Sequence, residues 1–397
     1  MIIRENYLAQ LESFRNQPLI KVITGMRRTG KSTLLTMWGD KLLESGVATD
    51  AIISMNFEDM AFDEIQDYRQ LYSYLKGKMS GLSKAYLLLD EIQHVQHWEK
   101  AVNSLLYEGK ADIYVTGSNA RLLSSELATL IAGRYVEIHI LPLSFKEYCS
   151  QAPAQTLREE LFTQFMRYGG LPVIPELPQN DHTIQTYLDG IFNSVVMNDV
   201  IGRNSVRDAS LLHNVIRYLA ANIGSSISTS KISGYLTSRG RKTTAVTIDN
   251  YLKMLEGAFI YHRAERYDIK GKMYLKTLEK YYIADIGIRN ALLGFSSGDY
   301  GHLLENIIYL ELLRRGYKVG VGKLDNLEID FLAIKPEQRL YIQVSASVMD
   351  PATLKRELEP LQRIPDNYEK ILLTMDRAYI TDYEGIRSIN IIDWLLE

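Results

Sequence analysis

The chain has 397 residues, 46% hydrophobic and 23% charged, with a formal net charge of −3. That length suits two or three domains, the composition is that of an ordinary globular protein, and no apolar run approaches the ~20 residues of a membrane span. The acidic balance excludes a global field for DNA, so any nucleic-acid surface must be local.

The opening, MIIRENYLAQ, lacks the cationic and apolar segments of a signal peptide and reads as an amphipathic helix. Next, LIKVIT (19–24) is a short β-branched apolar run, the pattern of a buried parallel strand. GMRRTGKST follows at once, and then LLTMWGDKLLES with apolar residues at helical spacing. A strand, G-x-x-x-x-G-K-S and a helix together make the context of a phosphate-binding loop. Gly25 and Gly30 let backbone N–H groups turn toward an anion, and the helix start adds positive dipole. Lys31 is placed to reach the β- and γ-phosphates of ATP, and the Ser32 hydroxyl to ligate Mg²⁺. The cradle therefore comprises Gly25, Met26, Arg27, Arg28, Thr29, Gly30, Lys31, Ser32 and Thr33.

AYLLLDEIQHV (85–95) reads as an apolar strand ending in Asp90 and Glu91. A carboxylate at that tip would hold Mg²⁺, and its neighbour would polarise a water as general base. His94 and His97 have helical ligand spacing, but no Cys or third His lies nearby, which argues against zinc. ADIYVTGSNA (111–120) ends in Thr116, Ser118 and Asn119, candidates for a polar sensor between the γ-phosphate and Glu91. Arg134, before a last strand, is either a surface arginine or one that stabilises transition-state charge in its own subunit or a neighbour's. Strands at 20–24, 52–56, 85–90, 111–116 and 136–140 with intervening helices predict a doubly wound parallel α/β sheet. Cys149 cannot pair internally, which fits a reducing cytoplasm, and is expected as a small buried residue.

From 155 to 222 the pattern is helical, broken by GGLPVIPELPQ with three prolines, read as a junction or a lid. GMRRTGKSTLL, LLLDEIQ, TGSNARLLSSELATLIAGRYVEIHILPLSFKEY and YGGLPVI together resemble an AAA+-like, archaeal-type ATPase family of bacteria and archaea. Its members carry a C-terminal region described as a domain of unknown function. The resemblance implies ATP at 25–33, Asp90 on magnesium, Glu91 as base and a functional role for Arg134.

Residues 225–285 follow the order helix (230–238), turn, helix (243 or 244 to 256) and β-hairpin, with Gly271 at the hairpin turn, which is a winged helix. Residues 231–282 hold 11 Lys/Arg against 5 Asp/Glu. Arg239, Arg241 and Lys242 before the second helix, with Lys270 and Lys272 on the wing, form a candidate DNA-phosphate footprint. Winged helices also bind protein, and charge runs are often only solvated.

The last hundred residues read helix, three strands, helix, strand, an order that resembles the PD-(D/E)XK nuclease core. In active members a helix Glu, a strand Asp and a Glu-x-Lys surround Mg²⁺. Glu305 and Asp330 match, whereas Gln343 stands at the second carboxylate and Ser345 at the lysine. A neutral amide is a weaker ligand for a hard ion, and losing the lysine is expected to remove the site's cation. The fold is expected without the hydrolytic site.

The expected organisation is a P-loop core (1–150), a helical lid or linker (151–222), a winged helix (223–290) and a nuclease-like module (300–397). The expected function is a Mg-dependent, cytoplasmic ATPase acting as a nucleotide-driven switch on DNA. The alternatives are a signalling or scaffold ATPase binding protein or its own kind, and an ATP-gated nuclease.

Overall fold

The structure is a computed structural model. It describes every residue except 1, 119–132, 154, 205, 296–299 and 378–379, and only the backbone of 276 and 277. Met1–Leu141 with Gly257–Phe259 form one compact unit, and Pro142–Glu256 with Ile260–Glu397 form another.

The first unit is a five-stranded, wholly parallel sheet in the order β2-β3-β4-β1-β5. Its strands are β1 (Ile20–Thr24), β2 (Ile52–Asn56), β3 (Ala85–Asp90), β4 (Ala111–Gly117) and β5 (Tyr135–His139). Helices α1 (Glu5–Ser13), α2 (Lys31–Glu44), α3 (Tyr68–Lys78) and α4 (Trp98–Tyr107) accompany them. Side chains alternate between faces along each strand. Ile20 and Val22 join the cluster that includes Leu71 and Val102, while Ile23 joins the one that includes Leu11 and Leu34. Burial on both faces is why β1, β3 and β4 read as nearly unbroken apolar runs. The strand order is the one that matters for the site: β4 lies between the β1 tip and the β3 tip.

Inside this core sits a charge pair. Lys21 on β1 and Asp112 on β4 are both buried and in contact. Asp112 also accepts from the Tyr114 hydroxyl (2.9 Å) and the Asn16 N–H (2.8 Å). Burial lowers the Lys21 pKa, and Asp112 opposes that shift.

The second unit begins with α5 (Phe145–Cys149), α6 (Arg158–Tyr168), α7 (Asp181–Ser194) and α8 (Ala209–Ala221). Cys149 is half-buried rather than buried as expected, and that burial raises its thiol to about 11, which keeps it protonated and weakly nucleophilic. Then come α9 (Thr229–Ser238), α10 (Ala245–Gly257), the hairpin β6 (Tyr261–Asp268) and β7 (Met273–Ile283), and α11 (Ile286–Leu293). The expected helix, turn, helix and hairpin are present in that order. The remainder is α12 (Tyr300–Arg314), β8 (Lys318–Leu324), β9 (Leu327–Lys335), β10 (Gln338–Ser345), α13 (Pro351–Gln362), β11 (Glu369–Thr374), β12 (Asp382–Tyr383), β13 (Ile386–Asn390) and α14 (Ile391–Leu396).

Among the described residues, the eight strands of this unit form one mixed sheet, in the order β12-β13-β11-β10-β9-β8-β6-β7. The hairpin is not a free wing, because β6 runs parallel to β8 with Arg266, Tyr267 and Asp268 opposite Val321, Gly322 and Lys323.

The two glycines of YGGLP have a packing reason. Asp285 caps α11, accepting the Ile288 N–H (3.1 Å), and also takes the Gly170 N–H (2.7 Å). A Cβ on Gly169, whose φ is +81°, would lie 2.2 Å from the Asp285 carboxylate. Burial pushes Asp285 up to about 6 against the pull of these N–H groups. No helix among the described residues is long and apolar enough to cross a membrane.

Candidate active site

The loop after β1 turns because Gly25 takes φ +145°, where a Cβ would sit 2.3 Å from the Ile140 carbonyl oxygen. Gly30 closes the loop in the left-handed region (φ 94°, ψ 26°) and starts α2. No side chain caps that helix, so its first-turn N–H groups have no capping acceptor from the N-cap residue, an arrangement that suits an anion. Ser32 and Thr33 are exposed there. Lys31 is 4% exposed, and its ammonium donates to the carbonyls of Gly25 (3.1 Å) and Met26 (3.2 Å), arching over the loop. Thr29 Oγ1 donates to the Met26 carbonyl (2.8 Å), Arg27 meets Glu58 at 3.4 Å, and Arg28 is exposed at φ +70°.

Asp90 and Glu91 stand at the tip of β3, 6% and 7% exposed. Thr116 at the end of β4 ties them together: its hydroxyl donates to Asp90 and accepts the Glu91 N–H (2.9 Å). Glu91 itself has φ 51° and ψ 45°, a left-handed backbone uncommon for a non-glycine residue. Its carboxylate accepts from the Gln93 amide. Ligand atoms of Glu58, Glu91 and His94 lie within 4.8 Å of one another, and His97 instead faces Glu99 at 3.7 Å. The two histidines thus do not converge.

The residues of the phosphate loop, Asp90, Glu91, Thr116 and Ser118 all lie at the C-terminal ends of adjacent parallel strands, where a doubly wound sheet binds its ligand. These residues fit a nucleotide and its magnesium: uncapped N–H groups and an ammonium for phosphates, a hydroxyl and a carboxylate for the ion. Asn119 lies outside the described residues. Arg134 is exposed and does not join them. Its carbonyl accepts the Ile20 N–H (2.9 Å), at the other end of β1, about 15 Å of strand away from the loop. The reading of Arg134 as acting on its own subunit's phosphates is therefore corrected.

Arg4 escaped sequence reasoning. It is 4% exposed and donates to the carbonyls of Thr29 (3.2 Å) and Leu141 (2.9 Å), clamping the phosphate loop to the chain after β5. The Tyr7 hydroxyl accepts the Leu141 N–H (3.1 Å) beside it. The available signal was a lone cation inside the apolar stretch MIIRENYL.

The basic residues of the second unit divide differently from expectation. Arg239 and Arg241 line a groove of about 680 Å³ with Arg217, Tyr218 and Tyr235, between α8 and α9. Arg239 lies 5.1 Å above the Tyr235 ring, and the two tyrosine rings are 4.8 Å apart. Lys242 is exposed just beyond, and Lys272 on the hairpin turn, whereas Lys270 pairs with Asp325 at 2.6 Å. In the C-terminal module Glu305 and Asp330 both face Lys280 and Gln343 accepts the Asp330 N–H (3.3 Å), but Ser345 bonds the Ser347 carbonyl (3.0 Å). The expectation that no cation remains there is overturned: Lys280 of β7 supplies one.

Residues 17–149 match the model of an AAA domain, and 159–299 match a domain of unknown function, DUF8612. An uncharacterized protein of Haemophilus influenzae is 45% identical, the alignment covering 100% of this chain and 99% of that protein. The chain belongs to this family of AAA-domain proteins. The family reaches archaea, since the uncharacterized protein MJ1544 of Methanocaldococcus jannaschii is 32% identical over 87% of this chain and 78% of its own length. Among solved structures, the Walker-type ATPase PABY2304 of Pyrococcus abyssi aligns with a TM-score of 0.49 and 16% identity, over 74% of this chain and 96% of that one. The AAA-domain core of the family is a P-loop nucleotide-binding fold, and its sheet here has the five parallel strands described above.

Proposed function

We propose that the protein hydrolyses ATP and uses the cycle to control engagement of DNA by its second unit. The observation that carries the first half is the convergence of Lys31, Asp90, Glu91 and Thr116 at neighbouring strand tips. The loop N–H groups and Lys31 bind the phosphates, Ser32 and Asp90 hold the magnesium that accompanies them, and Glu91 takes a proton from water. The water oxygen bonds to the γ-phosphorus as the bond to the β-phosphate oxygen breaks, leaving ADP and inorganic phosphate. Arg134, remote from its own loop, serves a nucleotide only in a neighbouring copy.

Thr116 is a positioning residue for this reaction. Thr116→Val keeps its shape and removes both hydrogen bonds. Turnover is expected to fall about 10–100-fold while ATP affinity changes little, and Thr116→Ser is expected to restore most of it. Equal losses in kcat and in affinity would point to general unfolding of the site instead.

The DNA half rests on the groove between α8 and α9. Arg217, Arg239 and Arg241 carry no carboxylate partner among the described residues, and two tyrosines lie beside them. Arginines placed this way suit phosphates, whose counterion release gives a salt-dependent affinity. Duplex binding, followed by anisotropy at increasing salt, is expected to lose about 0.9 of slope for each phosphate contact removed. The Arg217→Glu, Arg239→Glu and Arg241→Glu combination is the variant to use. Affinity without salt dependence, or unchanged by the triple reversal, would favour the scaffold reading in which this face binds protein.

A further inference from the structure

A cluster in the C-terminal sheet stands apart from the nucleotide chemistry. Glu305 of α12 and Glu328 and Asp330 of β9 converge on one group, the Lys280 ammonium, at 3.4, 3.0 and 4.0 Å. Lys280 arrives from β7 and is 3% exposed. The Tyr282 hydroxyl donates to Glu305 at 3.3 Å. Burial by itself would lower the Lys280 pKa, but the fields of Glu305, Asp330 and Glu328 more than reverse that. Three acidic side chains within 4.0 Å of its nitrogen favour the charged ammonium.

The nuclease resemblance implies a divalent ion at Glu305 and Asp330, two of these acids, and the donor set does not fit one. A magnesium ion requires near-octahedral oxygens at about 2.0–2.1 Å. Here the second carboxylate is an amide with both ends engaged: Gln343 accepts the Asp330 N–H (3.3 Å) and donates to Glu357 (2.9 Å). Asp330 is further committed to the Val344 N–H (2.9 Å). A dication set among Glu305, Glu328 and Asp330 would be pressed against an ammonium. Among the described residues, the group of three carboxylate or imidazole ligand atoms close enough for an ion lies elsewhere, at Glu58, Glu91 and His94.

The geometry points to Lys280 as a covalent stand-in for the metal: its ammonium holds the cation position of the Glu305, Glu328 and Asp330 cluster, so the module keeps its shape without a divalent ion. A lysine moved to another strand for catalysis would have to stand beside the ion and face a phosphate. Lys280 instead fills the centre of the acids and is almost wholly buried. The same contact fixes the hairpin to α12 and β9 by charge as well as by backbone pairing.

The test is Mn²⁺ binding to the full chain without nucleotide, followed by electron paramagnetic resonance. Wild type and Asp330→Asn are expected to bind Mn²⁺ identically, any common binding belonging to other sites. In Lys280→Met the three acids, no longer held apart around the ammonium, are expected to close on Mn²⁺ and to bind it at least about 100-fold tighter than wild type does there, a gain lost again when Asp330→Asn is added. A Lys280→Met protein that folds and gains no Mn²⁺ overturns the inference. If that variant does not fold, the comparison of wild type with Asp330→Asn decides alone. Mn²⁺ occupancy, or Mn²⁺-dependent nicking of supercoiled DNA, present in wild type and lost in Asp330→Asn also overturns it, and would make Lys280 a relocated catalytic lysine.

Discussion

Glu91→Gln is expected to bind ATP as wild type does and to hydrolyse it about 10²–10⁴-fold more slowly. The change is nearly isosteric, so the Gln93 contact and the Thr116 bond to the residue 91 N–H survive it. What disappears is the ability to take a proton. Glu91 is held for that role by an uncommon backbone: φ 51° turns the chain sharply at the strand tip and presents successive carboxylates to one site. Such conformations persist only where their surroundings enforce them, and here Thr116 supplies the enforcement. Lys31→Ala should behave differently, losing ATP affinity as well as turnover, because the ammonium that arches over the loop binds phosphate in the ground state too. Phosphate release measured alongside nucleotide binding separates the two variants. Unchanged release in both would remove the ATPase reading.

Asp112→Ala is expected to destabilise the first unit by about 3–5 kcal/mol, the largest stability effect anticipated in the molecule. Removing the carboxylate leaves Lys21 with its ammonium at 0% exposure in the sheet and no anion beside it. The Tyr114 hydroxyl and the Asn16 N–H lose their acceptor as well. Replacing both charges, as Lys21→Met with Asp112→Leu, is expected to recover most of the loss, since a buried pair contributes little beyond a well-packed apolar one. Urea unfolding followed in the single and double variants gives the comparison. A loss under about 1 kcal/mol in Asp112→Ala would mean that water reaches Lys21.

The legibility of this chain in its sequence follows the range of the forces involved. The strands of the first sheet fall within a residue of their expected positions, and for β1, β3 and β4 the reason is that burial on both faces writes an unbroken apolar run. The phosphate loop was legible because Gly25, Gly30, Lys31 and Ser32 act within one short segment. Arg134 was misjudged for its own subunit because its distance from the loop depends on strand register: Tyr135 pairs with Ile20, not with Thr24. Arg4 and Lys280 act on partners 25 or more residues away, at Thr29, Leu141, Glu305 and Asp330, and nothing in local spacing announces such meetings. Glu357 was invisible for the same reason: its link to Gln343 joins a helix to a strand across the module.

The pairing of β6 with β8 has a practical consequence for dissection of the chain. The match to the domain of unknown function stops at 299, between β7 and β8. A fragment ending there would expose the unpaired backbone edge of β6 and, beside it, Lys280 stripped of Glu305, Glu328 and Asp330. Open strand edges recruit other chains, so such a fragment should aggregate rather than report on the hairpin. Cutting just before β8 from the other side strips the same edge from its partner. Genetic separation of this half of the molecule must therefore carry the hairpin and the last hundred residues together.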